Sequence, residues 1–128
     1  PNGSGTTTNS IKLDWVSGKI TYSATITTQA DASRDCAFAS VTCASSVSAA
    51  AQAVLKALAL LPASATASEY EDDHMWMNNG ADERAFYSGG DWGCGANAGL
   101  FALYGAYPRS YSYWNIGFRS AYVALPTE

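Results

Sequence analysis

The feature that most constrains the fold is one amphipathic stretch, Ser46 to Leu61. Val47, Ala50, Ala51, Val54, Leu55, Leu58 and Leu61 recur at helical spacing and gather on one face. Ser45 or Ser46 can cap its start, and Pro62 marks its end. A lone alanine-rich helix in a small domain has to bury that face on something, and a sheet is the natural partner. The stretch reads as core and carries no chemistry.

Strand signals lie on both sides of it. Ile11, Leu13 and Trp15, then Ile20, Tyr22, Ala24 and Ile26, alternate through 11–28 around Ser17-Gly18, which predicts one or two strands as a hairpin. His74-Met75-Trp76-Met77 predicts a short strand, followed by a turn at Asn78-Asn79-Gly80. Residues 29–45 are small and polar without a clear period, and read as a loop holding Cys36 and Cys43. Residues 1–10 are a Gly/Ser/Thr-rich lead, expected to be a flexible linker from a longer protein. The remainder, 11–128, is expected to be one domain, since 128 residues is an ordinary domain length.

Charge narrows the partners. Only 14% of residues are charged and the net charge is −4, with seven basic residues and no basic cluster. Phosphate-backbone binding needs grouped Lys and Arg, so nucleic acid is not an expected partner. No run of 18 apolar residues is present, so membrane insertion is not expected either. With so little charge, the polar surface has to come from Ser, Thr, Asn, Gly and Tyr.

Several residues invite chemical readings. The acidic run Glu69, Glu71, Asp72, Asp73 could offer oxygens to a hard cation, but it lacks the alternating ligands and central glycine of a calcium loop. A hydrogen-bonding turn before a strand is the better reading, and no metal or other cofactor is expected. His74, the only histidine, could act as a base beside those carboxylates. No nucleophile motif accompanies it, and one histidine does not make a usual zinc site, so a structural role is favoured. Cys36 and Cys43 could close a small disulfide loop or remain two free thiols; Cys94 is left over in the first case. Gly89, Gly90, Gly93, Gly95 and Gly99 lack the Lys-Ser/Thr pair of a phosphate loop and fit tight turns better.

The tyrosines say more. From Tyr87 to Asn115, five Tyr, three Ser and six Gly make up fourteen of twenty-nine residues. Tyr104, Tyr107, Tyr111 and Tyr113 follow no helical or alternating period, as a core set would. Tyrosine offers a large rigid contact area and a hydroxyl with few rotatable bonds to freeze. Mixed with Ser and Gly, it is the composition of a binding surface.

The same region carries a motif. Ser88-Gly89-Gly90-Asp91-Trp92, Ala98-Gly99-Leu100-Phe101-Ala102-Leu103 and Asn115-Ile116-Gly117-Phe118-Arg119-Ser120-Ala121 resemble two related families. One is the formylglycine-generating, sulfatase-modifying enzymes. The other is the variable proteins of diversity-generating retroelements. Leu60-Leu61-Pro62 and the segment Tyr70 to Trp76 also resemble the lead-in of the phage-type variable domains. The resemblance spans roughly residues 46–125. It implies an α+β domain of C-type-lectin type, with a small twisted antiparallel sheet and one or two helices.

The residues separate the two families. The enzymes use two nearby cysteines to bind copper, and Cys94 stands about where the first belongs. Ala96 to Leu100 offer no second thiol, and one thiolate does not make the two-coordinate site. The calcium-lectin pairs Glu-Pro-Asn and Gln-Pro-Asp are absent too. The variable proteins instead have adenines of their codons changed, and asparagine codons altered in this way reach Tyr, Ser, Asp, Gly, Cys and Ala. Asp91, Gly93, Cys94, Tyr104, Ala106, Tyr107, Tyr111 and Tyr113 all fall in that set. Asn97 and Asn115 fit unchanged template positions. Between them, Gly89, Gly90, Trp92, Leu100, Phe101, Leu103, Trp114, Gly117 and Phe118 read as the fixed frame, with Trp92 and Trp114 bordering the site. The resemblance thus implies a variable region of about 88–123. Its expected partner is a protein or glycan on a target cell, met from a phage tail or a bacterial surface, by a chain that could form homo-oligomers. An enzyme of the formylglycine-generating type and a non-binding fibre module are the alternatives.

Overall fold

The structure is a computed structural model that describes residues 11–25, 32–64, 69–70, 72–78, 84–90, 92–108, 110–114 and 116–117. The expected linker 1–10, the strand residue Ile26, the turn residues Asn79 and Gly80, the variable position Asp91, Asn115, and Phe118 to Ala121 of the motif lie outside them, as does the Trp92 side chain.

The predicted hairpin forms. Strand β1 (Lys12–Val16) pairs antiparallel with β2 (Lys19–Ser23), with Val16 opposite Lys19. Ser17 and Gly18 make the two-residue turn with φ of 52° and 77°. Two positive φ values are what a tight turn matched to strand twist requires, and the glycine supplies one without steric cost.

The described part of 29–45, residues 32–45, does not form the expected loop. It contains β3 (Ser33–Ala37), a short 3-10 turn at Phe38–Ser40, and β4 (Thr42–Cys43). Among the described residues the strands make two sheets, in the orders β1-β2-β4 and β3-β5-β7-β6, where β5 is His74–Asn78, β6 is Tyr87–Ser88 and β7 is Leu103–Gly105. Each sheet is mixed, because β2 pairs parallel with β4 and β5 parallel with β7. The expectation of one antiparallel sheet is therefore corrected: an α+β domain stands, with two mixed sheets and one α-helix among the described residues.

The helix α1 covers Ala49–Ala57, shorter than 46–61. Ser48 caps it, its hydroxyl accepting the Ala51 N–H at 3.2 Å, rather than Ser45 or Ser46. Ala59 takes a left-handed φ of 54°, and both Leu60 and Leu61 donate their N–H to the Leu55 carbonyl, which closes the helix before Pro62. Of the expected apolar face, Leu55 is buried within the helix, and Val47 and Leu61 are buried from its flanks. Val54 and Leu58 face solvent.

The core draws on both sheets: Leu13, Ile20 and Tyr22 from the first, Met75, Met77 and Leu103 from the second, with Phe38, Val41, Leu55, Leu61 and Tyr70. Phe38, Tyr70 and Phe101 pack as a ring triad with centroids 4.9 to 5.7 Å apart. The Tyr22 hydroxyl donates to the Leu60 carbonyl at 2.8 Å and ties β2 to the exit of the helix. No described helix is long and apolar enough to cross a membrane.

Candidate functional site

Strand alternation creates the site. In β5, Met75 and Met77 are fully buried, so His74, Trp76 and Asn78 point to the other face. In β7, Leu103 is buried and Tyr104 faces with Trp76. Register then lines the rings up: Trp76 is opposite Tyr104, and Tyr104 is opposite Tyr87. Neighbouring strands lie about 4.8 Å apart, so rings on register partners are held at stacking distance by the backbone itself. Trp76 and Tyr104 stack with centroids 4.2 Å apart, and Tyr104 and Tyr87 at 4.9 Å and 3° from parallel.

The row continues off the sheet. Tyr107 follows Tyr87 at 6.4 Å, Tyr111 lies on Tyr107 at 4.1 Å, then come Tyr113 at 6.1 Å and Trp114 at 5.9 Å. Seven rings thus run in succession among the described residues. The sheet end is half-buried, and exposure rises outward, from 40% at Tyr107 and 36% at Tyr111 to 53% at Tyr113 and 75% at Trp114. Packed against both neighbours, the Tyr111 hydroxyl loses water, and the Tyr107 and Tyr113 phenols add to the effect; together they push its pKa above the ordinary tyrosine value.

The outer rungs are braced from outside the row. Arg84 donates to the Ala106 carbonyl at 3.2 Å and to the Asn78 side-chain oxygen at 2.8 Å. Ala85 donates its N–H to the Tyr107 carbonyl, and Tyr111 donates to the Pro108 carbonyl. These bonds fix the backbone that presents Tyr107 and Tyr111.

Of the remaining described positions, Cys94 and Ala106 meet the sheet end of the row. Trp92–Asn97 forms a kinked 3-10 segment carrying Gly93, Cys94 and Asn97. The Cys94 thiol meets the Tyr104 hydroxyl, and Ala106 lines a pocket beside Trp76, Tyr104 and Tyr107. Tyr104 differs from the other three tyrosines: it is a strand residue held between two rings. Trp76 and Tyr87 were missed as members of the row. The signal for Trp76 was in the sequence, since alternation with Met75 and Met77 sets it on the opposite face.

The frame residues divide into two groups. Gly89 and Gly90 have φ of 108° and 74°, and a Cβ at Gly90 would come 2.7 Å from the Ala98 Cβ, so only glycine fits there. Phe101 packs on the core and Leu103 is buried. Leu100, at 83% exposed, and Trp114 do not hold the fold by burial. The turn that inserts the Phe101 ring, closed by Ala102 N–H to the Gly99 carbonyl, leaves Leu100 outward.

The acidic run is structural where it is described. Asp73 is buried, accepts the Phe101 N–H at 2.7 Å, and its own carbonyl accepts the Phe38 N–H. Among the described residues, no group of three or more His, Cys, Asp or Glu side chains is placed to hold a metal ion. His74 donates from Nδ1 to the Asp72 carbonyl at 2.8 Å, with Nε2 4.0 Å from the Asp35 carboxylate. None of Cys36, Cys43 and Cys94 is in a disulfide; Cys36 lies in β3 and Cys43 in β4, on different sheets. Burial pushes the Cys36 and Cys43 thiols above their ordinary pKa. A larger cavity of about 500 Å³, between β4 and the end of α1, includes none of the named positions.

No protein-family model matches this chain, and no curated protein matches it.

Proposed function

We propose that this chain is a variable recognition domain, displayed on a phage tail or a bacterial surface, that binds a protein or glycan on a target cell. The observation that carries the reading is the ring row. Four tyrosines that share no single period in sequence fall into one succession, three of them exposed, on a backbone braced by Arg84. A rigid row of amphipathic rings loses little entropy on binding, which is what a recognition surface needs.

On this reading the domain is of C-type-lectin type. Asp91, Gly93, Cys94, Tyr104, Ala106, Tyr107, Tyr111 and Tyr113 are the diversified positions, with Asn97 an unchanged one. The division of labour supports it. Gly89, Gly90, Phe101 and Leu103 meet backbone or core demands that few other residues satisfy. Tyr107, Tyr111 and Tyr113 stand where substitutions cost little stability. The variable positions include Cys94, which is then a product of diversification rather than a reagent.

The neighbouring DNA tests this. The expected finding is a near-copy of the segment encoding residues 88–123, differing from it only at adenines, beside a reverse transcriptase gene. A locus with neither contradicts the proposal.

A further inference from the structure

The register row of the second sheet has four members: Tyr87, Tyr104, Trp76 and, on β3, Asp35. Three carry stacked rings. The fourth is a carboxylate, too short to supply the next rung. The space it leaves beside Trp76 is a pocket of about 240 Å³, walled by Trp76, Tyr104 and Tyr107, with Ser33, Arg34, Asp35, Met77 and Ala106 completing it. That is below the roughly 300 Å³ at which pockets enclose whole small ligands, so it suits the head of one side chain.

Two charged residues line the pocket, Arg34 and Asp35. The Arg34 guanidinium is turned onto the Trp15 ring, 5.4 Å from its centroid, which leaves the Asp35 carboxylate as the charge the pocket offers a ligand. The Asp35 carboxylate is 56% exposed, and its ion-pair contact among the described residues is the His74 Nε2 at 4.0 Å. Aromatic walls and an anionic floor together attract a cation. The chain's net charge of −4 favours the same sign of ligand.

We propose that this pocket receives the guanidinium of an arginine side chain from a protein partner. The group is planar, so it stacks on Trp76 as the missing rung. It carries paired N–H donors that match the Asp35 carboxylate, and it keeps its charge at any physiological pH. An ammonium has the charge but not the plane. A carboxylate or phosphate meets repulsion from Asp35. The proposal rests on the recognition reading, because Tyr104, Ala106 and Tyr107 belong to both surfaces, and it makes the ligand a protein rather than a glycan.

The test is a titration of the full chain, followed by the Trp76 indole N–H resonance, assigned from Trp76→Phe. The probes are N-acetyl-arginine amide, N-acetyl-lysine amide and N-acetyl-citrulline amide, the last being planar but uncharged. The arginine compound is expected to bind about tenfold or more tightly than the citrulline compound, and more tightly than the lysine compound. Asp35→Asn is expected to erase the preference over citrulline, while Val54→Ser, on the exposed side of α1, leaves it intact. Equal binding of arginine and citrulline, a preference that survives Asp35→Asn, or tighter binding of lysine each overturns the proposal. Failure here with codon variation present at the named positions removes only the arginine pocket. Success here with invariant codons removes only the diversified-receptor reading.

Discussion

Trp76 and Tyr104 are register partners on neighbouring parallel strands, and their rings stack 4.2 Å apart at 12°. The sheet therefore sets the spacing of the inner rings, while the outer rings depend on loop backbone. The two halves of the row should respond differently to mutation. Trp76→Ala removes a half-buried ring stacked on its neighbour and is expected to cost about 2 kcal/mol or more. Tyr107→Ala with Tyr111→Ala is expected to cost no more than about 1 kcal/mol together, and to abolish target binding. Urea unfolding of both variants measures the contrast. Collapse of the double variant would make those tyrosines core residues.

Asp73 and Gly99 form a coupled pair behind the site. A Cβ at Gly99 would overlap the Asp73 carboxylate, which accepts the Phe101 N–H. Gly99→Ala is expected to cost about 1–3 kcal/mol through overpacking. Asp73→Ala is expected to cost a similar ~1–3 kcal/mol by orphaning the Phe101 donor. The double substitution should cost less than the sum, because the second change removes the atoms with which the first collides. A double-mutant cycle in urea reads the coupling, and strict additivity would refute it.

Alkaline pH should destabilise the chain through Tyr22. Its phenol is buried and hydrogen-bonded to the Leu60 carbonyl, and burial, with the Cys43 thiol adding, raises its pKa far above the ordinary value. Above about pH 10 the unfolded chain releases that proton while the folded chain retains it. The contribution is thus fully present below pH 10 and lost as pH rises further. Melting temperatures between pH 8 and pH 11 should fall more steeply for the parent chain than for Tyr22→Phe. Parallel curves would show that Tyr22 is not the cause.

Thiol chemistry should follow burial in the same way. Cys36 and Cys43 have raised pKa values, so both stay protonated at pH 8 and are expected to react with iodoacetamide more slowly than a free cysteine. Mass spectrometry of the alkylated chain measures each site. Alkylation of both at the free-cysteine rate would contradict their partly buried placement.

Local patterns were legible where alternation was strong. The Ser17-Gly18 hairpin and the strand at His74 could be read directly, because apolar residues alternate there. Strand β3 could not. Its residues Ser33, Arg34, Asp35, Cys36 and Ala37 offer little hydrophobic alternation, and it exists because β5 pairs with it along all five positions. The helix is shorter than its apolar period, since Val47 and Leu61 share that period but are buried from its flanks. The site was half legible. Composition identified the segment and the four tyrosines; their succession depends on the pairing of Tyr87 and Trp76 with Tyr104, which no local period encodes.

The central claim is that the tyrosine row is a surface built to vary on a frame built not to. Sequencing this gene in many clones from one population tests it most directly. The expected result is amino-acid differences concentrated at Asp91, Gly93, Cys94, Tyr104, Ala106, Tyr107, Tyr111 and Tyr113, with Gly89, Gly90, Phe101 and Leu103 unchanged. Uniform sequence at those eight positions, or differences spread evenly over frame and row, would contradict it and favour a structural module.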